Sequence, residues 1–202
     1  GVTLLDSDGA GRAGAPATDC AAGKNSATGS AFCGKVAAGY YGAAGAASGG
    51  VYTAHAGTVT ACTTTFSHSS NPSAGITSDE STSGTTTKAA CKTAPGYIIT
   101  SADGAADNAI TVAAAAAGKY AGGGVTLLDS DGAGRAAETA TDCATGTTSD
   151  AGSAFCGKVA AGYWGAAGAV DGGGAYTSHA GTVTACTATF TNGGSTAGIT
   201  ST

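Results

Sequence analysis

The chain has 202 residues, with 8 Lys and Arg against 13 Asp and Glu, and a net charge of −5. Its 42% hydrophobic content is mostly alanine: Leu, Ile, Val and Phe together number 22, methionine is absent and glycine takes 36 positions. That lies well below the ~20% of large apolar residues an ordinary packed domain carries, and the acidic balance argues against nucleic acid as a partner.

Backbone ordering costs about 1–2 kcal/mol per residue, while apolar burial returns only about 25 cal/mol per Å². A chain this poor in large side chains needs something besides a core. Low charge and regularly placed cysteines point to disulfides, and so to an oxidising, extracellular setting. No Cys-x-x-Cys pair occurs.

The chain opens on Gly1–Ala13, with a candidate strand at Val2–Leu5. Asp6-Ser-Asp8-Gly-Ala-Gly11 follows and recurs at Asp129–Gly134, with the second pair of carboxylates at Asp129 and Asp131. Carboxylates at loop positions 1 and 3 and glycine at 6 match a Ca²⁺ loop, but Ala10 and Ala17 stand where further ligands belong. A polar turn after a strand is the better reading, and Ca²⁺ is the sole cofactor the sequence brings into view.

Gly9–Gly14 fits GxGxxG, but Pro16 and Cys20 arrive where a dinucleotide fold needs a helix. Gly29–Val36 and Gly152–Val159 nearly match a phosphate-binding loop. The Mg²⁺-binding hydroxyl is replaced by Val36 or Val159, and a cysteine sits inside each, so coincidence is the better reading.

Short strands are predicted at Gly50–Thr53, Thr58–Thr65, Tyr97–Thr100 and Ile110–Val112, because β-branched and aromatic residues alternate between glycine-rich turns. Ala113–Ala117 reads as one helical turn or an extended strand. Thr63–Ala90 is rich in Ser and Thr, with Pro72, and reads as a loop or an O-glycosylated segment. No N-x-Ser/Thr sequon exists, so any glycan is O-linked. The longest apolar stretch, Ala109–Gly118, is far short of the ~20 residues a membrane helix needs.

From Gly124 the sequence begins again. Gly1–Ala13 recurs letter for letter at Gly124–Ala136, Gly29–Tyr40 at Gly152–Tyr163, and His55–Thr63 at His179–Thr187. The offset is 123 until one glycine is inserted near Gly172–Gly174, then 124, and 123 again by Gly198. Residues 1–123 read as a complete unit and 124–202 as a truncated second one, a window on a longer array.

The first unit holds Cys20, Cys33, Cys62 and Cys91; the second holds Cys143, Cys156 and Cys186. Four cysteines allow three connectivities. The local pairs Cys20–Cys33, Cys62–Cys91 and Cys143–Cys156 close at least entropic cost. The expected fold class is mostly β: small, loop-rich, disulfide-stapled tandem repeats forming an elongated array.

One histidine per unit, His55 and His179, with no second ligand nearby is poor metal or catalytic evidence. Phe32, Tyr40, Tyr41, Tyr52 and Phe66 have counterparts Phe155, Tyr163, Trp164, Tyr176 and Phe190. They read as each unit's small core rather than a ligand ladder.

Cys33-Gly-Lys-Val-Ala-Ala-Gly-Tyr-Tyr-Gly, Cys91-Lys-Thr-Ala-Pro-Gly-Tyr and Cys156-Gly-Lys-Val-Ala-Ala-Gly-Tyr-Trp-Gly resemble degenerate Cys-x-x-Cys-x-x-Gly-Tyr units. Val36, Ala94 and Val159 stand where the second cysteine would fall. With the Ala/Gly/Thr-rich spacers, this resembles the surface immobilisation antigens of ciliates. That resemblance implies a GPI-anchored coat protein of the cell surface, its anchor outside this window.

The expected function is therefore structural, an extracellular or cell-surface coat or filament protein with no catalytic residues. Its expected partners are neighbouring repeats, or further copies through self-association, and O-linked glycans. A binding module is the alternative: an adhesin, or a surface for carbohydrate, ice or a Ca²⁺-dependent ligand. Regular Thr-x-Thr rungs would support ice binding, but Thr58-Val-Thr60 recurs once per unit.

Overall fold

One local pattern, Ala-x-Gly-x, sets the geometry of this chain. A computed structural model describes residues 19–189. There the pattern makes the same turn seven times: at Ala21–Lys24, Ala27–Ser30, Ala37–Tyr40, Ala94–Tyr97, Ala116–Lys119, Ala144–Thr147 and Ala160–Tyr163. Each alanine carbonyl accepts from the N–H three residues on, at 2.9–3.2 Å. Each glycine has φ between +78° and +88°, which a type II turn demands at its third position and which only glycine adopts at no steric cost.

Strands of two or three residues follow from these turns. They are β1 Lys24–Asn25, β2 Lys35–Val36, β3 Tyr40–Gly42, β4 Ala47–Ser48, β5 Val51–Tyr52, β6 Val59–Ala61, β7 Ile76–Thr77 and β8 Lys92–Thr93. Then come β9 Tyr97–Ile99, β10 Val112–Ala114, β11 Lys119–Tyr120, β12 Thr141–Asp142, β13 Thr147–Thr148, β14 Lys158–Val159, β15 Tyr163–Gly165 and β16 Val183–Ala185. Single helical turns, α1 Cys62–Thr65 and α2 Cys186–Thr189, follow β6 and β16.

All pairing is antiparallel and two by two: β1–β2, β3–β6, β4–β5, β7–β8, β9–β10, β11–β12, β13–β14 and β15–β16. Six of the eight pairs have a first strand launched by an Ala-x-Gly turn. The turn glycine then accepts from the residue that follows the partner strand or lies just beyond it, as Gly39 does from Cys62, Gly118 from Cys143 and Gly162 from Cys186. The fold is thus mostly β, loop-rich and disulfide-stapled.

Three disulfides form, Cys20–Cys33, Cys62–Cys91 and Cys143–Cys156. Cys62 and Cys91 are fully buried, in a cluster with Phe66, Ile76, Ile99, Ile110, Val112, Leu127 and Leu128. Leu127 and Leu128 come from the head of the second copy, so this core crosses the sequence period. The backbone crosses with them: Leu127 N–H donates to Cys91 O at 3.0 Å, and Thr93 N–H to Val125 O at 2.8 Å. Asn71 ties the other side, donating to the carbonyls of Phe66 and Ile110 and accepting from the N–H of Val112.

The two copies repeat the same pairings. Lys24↔Val36 becomes Thr147↔Val159, and Tyr40↔Ala61 becomes Tyr163↔Ala185. The extra glycine falls inside one turn: Ala47 pairs with Tyr52, and Val170 pairs with Tyr176 across one more residue. Asp171 Oδ1 accepts from the N–H groups of Gly173 and Ala175 and holds the longer turn.

Two expected strands end elsewhere. The strand expected over Thr58–Thr65 stops at Ala61, because Cys62 turns inward to meet Cys91 and the helical turn brings Phe66 to full burial. The strand expected at Ile110–Val112 runs instead from Val112 to Ala114, paired with Ile99–Tyr97. Ala113–Ala117 is strand through Ala114 and then turn. The strand expected at Val2–Leu5 lies outside the described residues.

Two outcomes follow for stability. A Cβ at Gly34 would overlap the Tyr52 ring at its root, whereas one at Gly122 meets nothing within 4 Å. Gly34→Ala should cost about 1–3 kcal/mol by overpacking and Gly122→Ala almost nothing, read by urea denaturation. Removing Cys62–Cys91, with its sequence separation of 29, should cost more than removing Cys20–Cys33, with 13. Loop entropy alone gives about 3.6 against about 3.0 kcal/mol, and the first bond is also buried. Thermal melts of the two double Cys→Ser variants would check the order.

Candidate functional site

The carboxylate pair at Asp129 and Asp131 is built as a turn. Asp129 N–H donates to Ala133 O at 2.8 Å, and Gly132 N–H returns to Asp129 O at 3.0 Å. Asp131 Oδ1 accepts from Ala133 N–H at 3.0 Å, while the Asp129 carboxylate faces Arg135 at 3.4 Å. Arg135 also donates to the backbone and hydroxyl of Thr126, so the cation paired with Asp129 is itself held in place. Among the described residues no group of three or more His, Cys, Asp or Glu could hold a metal ion. Asp6 and Asp8, and the GxGxxG at Gly9–Gly14, lie outside the described residues.

Each phosphate-loop lookalike is turn and bend that ends in a two-residue strand. Cys33 is in a disulfide, Gly34 lies against Tyr52, and Lys35–Val36 pairs with β1, where a nucleotide site needs a helix N-terminus. The lysines are engaged. Lys35 Nζ lies 2.9 Å from Glu80 Oε1, and Asn25 donates to Glu80 Oε2 at 3.0 Å. Those two hydrogen bonds, Lys35's first, hold the Glu80 carboxyl below the ordinary glutamate range. In the second copy Lys158 turns to Asp150, and that hydrogen bond raises its pKa.

The histidines pack edge-on to aromatic rings. His55 lies 4.9 Å from Phe32; His179 lies 5.2 Å from Phe155 and 5.0 Å from Tyr120. These are T-shaped contacts beside the short disulfide loops, worth about 0.5–1.5 kcal/mol each. An open groove of about 570 Å³ runs past Pro95, Gly152, Phe155, Asp171 and Tyr176. Its acidic groups are occupied, Asp171 by its own turn and Asp150 by Lys158.

What the sequence reading missed is a strap. Ser78–Thr86, inside the stretch read as a hydroxyl-rich loop, lies along the hairpins of the first copy. Gly39 N–H donates to Ser78 O, and Ser78 Oγ to Tyr40 O at 2.6 Å. Val36 and Ser81 exchange both backbone bonds, and Tyr52 Oη donates to Thr82 O. Ala44 N–H donates to Gly84 O and Thr86 N–H to Gly42 O. Main-chain bonds run along the whole strap, and the side chains that add to them, Ser78, Glu80 and Thr86, form no periodic pattern in the sequence. Other hydroxyls of the stretch remain exposed, among them Thr63, Thr64, Ser69, Ser70, Ser83 and Thr87.

Three disulfides are the chemistry of a secreted or extracellular protein. No described helix is long and apolar enough to cross a membrane. Comparison with protein-family models, with curated proteins and with solved structures finds no match.

If the Asp129–Arg135 turn is held by its own hydrogen bonds, millimolar Ca²⁺ should leave the melting temperature where EDTA leaves it. A rise of several degrees with Ca²⁺ would instead assign the turn to the metal.

Proposed function

We propose that this chain is a building block of an extracellular coat or filament, working through repetition and covalent stapling rather than catalysis. One observation carries the reading: Leu127 and Leu128, from the head of the second copy, are buried in the core around Cys62–Cys91 of the first. A unit whose core is finished by the next unit gains stability as an array, the logic of repeat proteins. The head that does this is letter-identical at Gly1–Ala13 and Gly124–Ala136, so one junction can serve every step.

The likeness to the ciliate surface antigens points the same way, toward a cell-surface coat. The exposed hydroxyls of Thr63–Thr87 suit O-linked glycans, which would shield a surface poor in charge.

Small-angle scattering on chains of two, three and four units tests the array. The maximum dimension should rise in equal steps with unit number, and growth as a compact sphere would reject the reading. Intact mass of protein from its native host tests the glycans, with increments of hexose or N-acetylhexosamine expected on the peptide covering Thr63–Thr87.

A further inference from the structure

The strap of the first copy has no counterpart among the described residues of the second. The hairpins it would cover are present at the same register. Val159 stands for Val36, Gly165–Ala167 for Gly42–Ala44, and Tyr176 for Tyr52. Under the strap Val36 is fully buried and Tyr52 is 4% exposed. Without it Val159 and Tyr176 are only half-buried, and Gly165, Ala166 and Ala167 are exposed.

A second feature points to the same missing piece. Cys186 begins α2 as Cys62 begins α1, and each donates its N–H to the glycine of its own turn. Cys62 is bonded to Cys91, which trails the strap by five residues. Cys186 is buried and has no disulfide partner among the described residues.

We infer that the edge formed by Val159, Gly165–Ala167 and Tyr176 is the docking site for a Ser/Thr-rich strand with the pattern of Ser81–Thr86. The strand comes from the same polypeptide, as the continuation of the unit that begins at Gly124, and the cysteine that trails it closes on Cys186, as Cys91 closes on Cys62 within the first unit. The inference rests on the array reading. The binding mode is strand addition, in which main-chain hydrogen bonds supply affinity and a few side chains supply register. Register comes from Gly84, at φ +71°, and from Thr86, whose hydroxyl bonds both the N–H and the carbonyl of Gly42. A second copy is the weaker source. Its own Ser81–Thr86 is already engaged on its own hairpins, and lending the strand breaks as many bonds as it makes. In the closing step two thiols lose two protons and two electrons to an external disulfide such as oxidised glutathione, which leaves as two thiols.

The test uses the full 202-residue chain and a synthetic peptide copying Ser78–Cys91, in a glutathione redox buffer. The peptide should become disulfide-linked to Cys186 in about tenfold higher yield than a scrambled peptide with the same terminal cysteine, as docking raises the local thiol concentration. A second peptide carrying Cys91→Ser should slow hydrogen exchange at Val159, Gly165 and Ala167 without any covalent bond. Equal yields from the copied and scrambled peptides, together with unchanged exchange, overturn the proposal. Concentration-dependent protection of the same amides in the chain alone would give the strand to a second copy and overturn the assigned source. Compact multi-unit particles with peptide capture intact would reject the array and leave the docking site standing.

Discussion

The Cys62–Cys91 bond is the constraint on which the rest of this structure depends. Both sulfurs are fully buried, and the few large apolar side chains of the region, from Phe66 to Leu128, gather around them. A cluster this small supplies little burial free energy by itself. Closing the loop between residues 62 and 91 removes entropy from the unfolded chain, which lets a thin core suffice. The bond also fixes direction, since β6 must end at Ala61 for Cys62 to turn inward.

Outside that core, order comes from the backbone. Six of the seven Ala-x-Gly turns start a strand, and five of those six follow from the end of the preceding hairpin. Small residues are then an asset: glycine gives the left-handed turn, and alanine lets strands and straps approach closely. At Gly34 and Gly157 an aromatic ring fills the space a side chain would take. The glycines of the described residues therefore do much of the positioning that large side chains do elsewhere.

Much of this was legible in the sequence. Letter-for-letter recurrence exposed the period, and the short spacing of Cys20 and Cys33 pointed to their pairing. Separation by glycine marked Tyr97–Thr100 and Gly50–Thr53 as strands. Other elements left no readable signal. The alternation of Thr58–Thr65 is a strand pattern, and only the burial of Cys62 and Phe66 bends it into a helical turn. Asn71 looks like any loop asparagine before a proline until its amide is seen holding Phe66, Ile110 and Val112. The Ser78–Thr86 strap binds through a run of main-chain bonds with a few scattered side chains, Ser78, Glu80 and Thr86, and composition shows no pattern in them. At Asp129–Arg135 the sequence shows the first residues that short acidic turns and Ca²⁺ loops share, and it does not show the pairing of Asp129 with Arg135.

The buried head at Leu127 and Leu128 bears on how a gene for such a protein could change length. The head that finishes the core is letter-identical at Gly1–Ala13 and Gly124–Ala136, and the three described disulfides each close within a unit. Unequal exchange between repeats would then add or delete whole periods and leave every surviving junction with the same chemistry. Misalignment by part of a period would separate Cys62 from Cys91, or a core from the leucines that finish it, and the product would not fold. Selection on folding alone would thus keep the period fixed while the number of units drifts.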